Sequence, residues 1–244
     1  MDIQNVWSVA SKDFETIKRK KSIIYSIILL PLLVSAAFSL YVYQTATAAS
    51  GIPSDLSLGL DSITYIFVVL ASTLPASIAA YSIVGEKIEK SLEPLLATPM
   101  TDGEILLGKS IAAFVPPILA TWGGASIFMA VTDYSTHDLF SYFYFPNWSS
   151  GVMLLLLAPL AAIFSIEVAV IASSRVSDAR GANQIGGLLF LPFMAVFFFE
   201  VTGDITFSTS NLLVISGIVL IVDAALFFLS TSTFRREEIL TKWK

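Results

Sequence analysis

The chain has 244 residues, 55% of them hydrophobic and 14% charged, with a mean hydropathy of +0.78. Soluble domains carry about 25% charged residues, so this composition excludes an ordinary soluble globule and points to an all-α membrane protein. With no cysteine, disulfides, thiolate metal sites and a cysteine nucleophile are excluded as well.

In chain order, the first expected element is an amphipathic helix over 3–17. Ile3, Val6, Trp7, Ala10, Phe14 and Ile17 recur at helical spacing on one face, and Gln4, Asn5, Ser8, Lys12, Asp13 and Glu15 take the other. A tryptophan at one end and the basic run Lys18–Lys21 at the other suit a helix lying in the headgroup plane, with a helix packed on a soluble partner as the alternative. The stretch at 22–44 is too long and starts too late for a signal-peptide core, so no cleavable signal is expected.

Six apolar stretches, at 22–44, 61–85, 110–131, 150–173, 183–199 and 211–233, approach or reach the roughly 17–25 helical residues that cross a bilayer. The fifth is the weakest, being short and ending at Glu200. All fourteen Lys and Arg residues fall before the first span, between the second and third, between the fourth and fifth, or after the sixth. The intervening loops at 45–60, 132–149 and 200–210 carry none. The positive-inside rule then places both termini and the 86–109 loop in the cytoplasm, with the protein in the cell membrane. The net charge of −5 says little here, because that rule counts basic residues.

The loop at 86–109 holds three of the fourteen basic residues and five of the nineteen acidic ones. Helix is expected to continue from the second span through Glu86 and Glu89. Pro94 turns the chain and disfavours helical geometry at Glu93. Leu92, Leu95 and Leu96 form a short apolar patch, and Pro99 breaks the chain again after Thr98. Thr101 and Glu104 form a capping box that starts the helix feeding the third span. Such a shape fits a groove on another protein, or it rests its leucines on the membrane surface.

A rival string overlaps this loop. Gly103 to Ser110 matches the phosphate-binding pattern Gly-x4-Gly-Lys-Ser, and Val219–Asp223 imitates the apolar strand ending in the magnesium-holding Asp. The context denies it: a P-loop follows a strand, whereas here Pro99 and a capping box precede a helix-favouring Glu-Ile-Leu-Leu.

Inside the spans, Glu167 and Asp223 are costly at membrane depth and no Lys or Arg lies there to pair with them. They suit proton coupling, substrate contact or helix-packing glue. Pro31, Pro75, Pro116, Pro117, Pro159 and Pro192 allow kinks in five of the six spans. The aromatic stretch 140–148 fits a lid, a short re-entrant helix or belt anchoring. His137 lacks companions for a metal site, and the Asn147-Trp148-Ser149 triplet carries little without its cellular context.

The run Glu86-Lys87-Ile88-Glu89-Lys90-Ser91-Leu92-Glu93-Pro94-Leu95-Leu96-Ala97-Thr98-Pro99, followed by Glu104-Ile105-Leu106-Leu107-Gly108-Lys109, resembles the cytoplasmic loop of type-2 ATP-binding-cassette (ABC) exporter permeases. Ile88 stands where that family often has Glu, and Ser91 where Thr is usual. The amphipathic start, the six spans, the 173–184 inner loop and the Phe234-Arg235-Arg236-Glu237 ending are similar too. The resemblance implies one permease domain over 1–244: an elbow helix in 1–21 that includes Trp7, Phe14 and Ile17, a bundle over 22–233 and a tail over 234–244. It implies coupling to an ATPase partner through Glu86, Glu89, Leu92, Glu93, Leu95, Leu96, Thr98 and Pro99. Two ATPase subunits carrying ATP and Mg, and a second permease half, complete that picture. This chain would then be no enzyme, bind no cofactor or metal itself, and meet lipid but no nucleic acid. A secondary transporter or channel using Glu167 and Asp223 is the alternative. An intramembrane enzyme lacks a visible nucleophile–base or metal constellation.

Overall fold

The computed structural model describes residues 2–48, 56–88, 100–175, 184 and 188–233, and within these every regular element is a helix. In chain order they are α1 (Ile3–Arg19), α2 (Lys21–Ala48), α3 (Leu56–Ile88), α4 (Asp102–Phe140), α5 (Trp148–Val152), α6 (Ala158–Arg175), α7 (Leu191–Val201) and α8 (Thr209–Thr233). A π-helical turn, Met153–Leu157, joins α5 to α6.

Among the described residues, five helical stretches are long and apolar enough to cross a bilayer: Lys21–Thr47, Gly59–Ser82, Asp102–Asp138, Trp148–Ser173 and Thr209–Leu229. The helices outrun the apolar stretches expected from sequence, because hydropathy marks bilayer thickness whereas backbone hydrogen bonding carries helix on into polar residues. Thus α4 has 39 residues, about 58 Å at 1.5 Å per residue, nearly twice a ~30 Å hydrocarbon core. The fifth expected span differs most. Its described helix, α7, has 11 residues, begins at Leu191 and ends at Val201, one residue past Glu200. Ser62 Oγ donates to Glu200 Oε2 at 2.8 Å, so that acid caps no span but ties α7 to α3.

At the centre, α3 packs against α6, α4 and α7, while α2 leans on α4 and α8 leans on α6. Both flanking helices leave large apolar side chains such as Leu29, Leu33, Ile221 and Phe228 exposed, as lipid-facing surfaces require. Where α2 crosses α4, a Cβ on Gly124 would sit 2.9 Å from Pro31 Cβ and from its carbonyl oxygen, so only glycine lets the helices approach this closely. The π turn is also tied in, since Trp122 Nε1 donates to Leu154 O at 2.8 Å across from α4.

At the end of the bundle away from α1, the aromatic stretch is anchored rather than loose. Asp133 Oδ1 accepts from the backbone N–H groups of Tyr144 (2.9 Å) and Phe145 (3.0 Å). Phe145 is buried against Phe128, whereas Tyr142, Phe143 and Trp148 stay exposed at belt positions. Asn147 caps α5 through its side-chain oxygen and donates its amide to Asp61 Oδ1 at 3.1 Å, so its side chain already has structural work. Burial, with the neighbouring Asp61 charge adding to it, holds the Tyr144 phenol protonated well above its usual range.

Candidate functional site

The backbone of Glu86 lies in the last turn of α3. Glu89, Leu92, Glu93, Leu95, Leu96, Thr98 and Pro99 lie outside the described residues. What the structure supplies is the anchor at which the loop enters α4. Thr101 accepts from the Glu104 N–H at 3.3 Å, and Glu104 Oε2 accepts from the Thr101 N–H at 2.9 Å, completing the expected capping box.

Glu104 does more than the capping box required. Its Oε1 accepts from the Asp2 N–H at 2.5 Å, and its Oε2 from Asn5 Nδ2 at 3.3 Å. One carboxylate therefore satisfies orphan donors at the N-termini of both α1 and α4 and ties the two helices together. One turn further on, a Cβ at Gly108 would lie 2.7 Å from Val9 Cβ and 2.8 Å from Val6 O. The missing side chain is what lets α1 lie directly on α4.

Next to it, Lys109 is buried at 2% exposure, and Nζ reaches Ser82 Oγ at 2.9 Å and Asp13 Oδ2 at 3.5 Å. Ser82 Oγ donates to Asp13 Oδ2 at 2.7 Å, closing a triad over α1, α3 and α4. Asp13 was expected on the solvated face of α1, and the structure corrects this. It is 7% exposed on the same side as Val6, Val9, Ala10 and Ile17, turned inward by a lysine 96 residues away. Close by, Lys20 donates to the Tyr81 hydroxyl and lies 4.2 Å over its ring centroid, joining the start of α2 to α3.

Of the three residues singled out on α1, Ile17 enters the core with Val84 and Ile105. Trp7 is 61% exposed and meets half-buried Phe14 edge-on, with ring centroids 6.4 Å apart. The helix thus presents one side to the protein and Ile3 and Trp7 outward. The Gly103–Ser110 string is helical throughout, inside α4, and its Gly108-Lys109 pair is accounted for by helix packing and the buried triad. No loop cradles an anion there.

The structure places Glu167 on α6 and Asp223 on α8, two helices that pack against each other. Glu167 is 8% exposed and Asp223 5%. Among the described residues, Glu167 Oε2 and both Asp223 carboxyl oxygens have no hydrogen-bond partner. Glu167 lines a cavity of about 310 Å³ whose other walls are almost wholly apolar, from Leu107, Ile111 and Phe114 of α4, Ile163 and Val170 of α6, and Phe227 of α8. The faces of α4 divide the work. Glu104, Gly108 and Lys109 meet α1 and α3, while Leu107, Ser110, Ile111 and Phe114, offset around the helix, face the cavity.

Long apolar helices, a buried polar clamp at the foot of one of them and a carboxylate-bearing apolar cavity suit a multi-pass membrane protein. The family model of the ABC-2 family transporter proteins matches residues 7–210, and the chain belongs to that family. No curated protein matches it. The chain is accordingly a permease, a membrane component of an ABC transporter.

Proposed function

We propose that this chain is one permease half of an ATP-driven exporter, working by alternating access with force entering through the 86–109 loop. In this reading two ATPase subunits carry the ATP and Mg, and a second permease half, identical or not, completes the pathway. The termini and the 86–109 loop lie in the cytoplasm of a cell-membrane protein, and the region 183–199 completes a sixth span. The placement of Lys12, Lys18, Arg19, Lys20 and Lys109 at one end of the bundle supports that orientation. Exposed Ile3 and Trp7 support a seat for α1 at the inner headgroups.

The observation that carries the proposal is the clamp on α4. A loop that ends in a helix fixed to α1 and α3 passes displacement on as motion of a rigid unit, and the other side of that same helix lines the cavity. Replacing both Leu95 and Leu96 with Asp places charge on the docking patch. Co-purification of the ATPase and transport should both be lost while the purified permease stays monodisperse. If the ATPase still associates and transport continues, coupling through this patch is wrong.

One observation favours a second reading. Two buried carboxyl groups, with Glu167 Oε2 and both Asp223 oxygens lacking a hydrogen-bond partner among the described residues, suit a secondary transporter or channel, which would transport with no ATPase present.

A further inference from the structure

Glu167 and Asp223 are the described acids within the α6–α8 interface, and no described Lys or Arg lies among the residues lining the cavity. Counting back from the ends of the apolar spans, Glu167 lies six residues before Ser173 and Asp223 six before Leu229, about 9 Å along the helix axes in each case. They therefore sit at a similar position within their spans. A carboxyl group held there without a partner is costly and is retained where something it faces compensates it.

The cavity supplies the rest of the description. Its volume, about 310 Å³, falls in the range of small-molecule sites, and aromatic and branched side chains make its walls. Ser110 carries no charge, and its hydroxyl donates to Leu106 O at 2.9 Å on its own helix, which leaves its oxygen able only to accept. Glu167 is thus the one titratable group among the described lining residues, and Asp223, buried on α8, lies one helical turn before the lining residue Phe227. Among the described residues, α8 packs on α6 and makes little contact with α4.

We propose that this cavity is a binding site for hydrophobic cations, amphiphiles with an amine or other onium group and an apolar body. Glu167 pairs with the charge, Asp223 reinforces it, and the body packs on Ile111, Phe114, Ile163 and Phe227. The proposal rests on the chain being a permease whose cavity lies on the transport path, and it names the substrate class that path takes.

The test compares two ions of the same shape and opposite charge, tetraphenylphosphonium and tetraphenylborate, by equilibrium dialysis against the purified full-length chain in neutral detergent. The wild type should bind the cation saturably and about tenfold or more tighter than the anion. Glu167→Gln should remove that preference, and Asp223→Asn should reduce it. Equal binding of the two ions by the wild type overturns the proposal without reference to any variant, so a variant that misfolds cannot shelter it. So does a cation preference that survives both substitutions. The measurement needs no ATPase. Loss of coupling in the Leu95 and Leu96 variant with cation binding intact would sink the coupling reading alone, and the converse would sink this one alone.

Discussion

Lys109→Met should destabilise the protein by about 3–5 kcal/mol, because it leaves the Asp13 carboxylate buried with its cation removed. Lys109 is 2% exposed and Asp13 7%, so water cannot take over the screening, and the Ser82 hydroxyl alone does not neutralise a charge. The loss should show as unfolding at lower denaturant in detergent solution. Most of it should return in the double variant that adds Asp13→Asn, since the orphaned charge then disappears. This recovery separates an ion pair from simple loss of lysine packing. A single variant within 1 kcal/mol of wild type on the scale of an exposed pair would mean that the triad is wet and holds nothing.

The two glycines of the 103–110 string give the second large effect. Gly108→Ala puts a methyl 2.7 Å from Val9 Cβ and 2.8 Å from a backbone oxygen that cannot rotate away. Separating α1 from α4 should cost about 1–3 kcal/mol and loosen the clamp that the coupling reading requires. Gly103→Ala meets nothing within 4 Å and sits in the first turn of α4, so it should be neutral or gain up to about 1 kcal/mol. A phosphate-binding loop would suffer at both positions. Thermal inactivation of transport in the two variants, run side by side, checks the contrast.

These residues also show what could be read before the fold was known. The five long helices were legible because an apolar run must be satisfied by its own backbone in lipid, and α2, α3, α4, α6 and α8 begin within eight residues of the stretches expected from hydropathy, or, for α6, follow the expected start through α5 and the π turn. The Thr101–Glu104 capping box was legible because its partners lie three residues apart. Glu167 and Asp223 stood out by their cost at membrane depth.

The triad was not legible, since a helical wheel assigns Asp13 by its polarity and cannot see a lysine brought up by α4. Nor was the second half of Glu104's work, on Asp2 and Asn5, because that distance in sequence carries no local pattern. One hint was present. The Gly108-Lys109 pair that closes the family's loop is a close-approach residue followed by a cation, and such a pair in a helix entering a membrane asks what it approaches and what it neutralises. The fifth stretch was legible as the weakest, and its described helix is short and ends at Val201, one residue past Glu200, whose tie to Ser62 no local pattern announces.

The central claim, that an ATPase drives this permease through the loop before α4, has a direct test in a chain without cysteine. A cysteine at Leu95 would be the only thiol in this chain, and a separate variant with its cysteine at Tyr134, exposed near the opposite end of α4, serves as the control. With a short bifunctional thiol–amine reagent on the assembled transporter, the account predicts a crosslink from position 95 to the ATPase chain, with yield that changes on adding ATP, and none from position 134. Equal crosslinking from both sites, or none from position 95 in a complex that still transports, would contradict it.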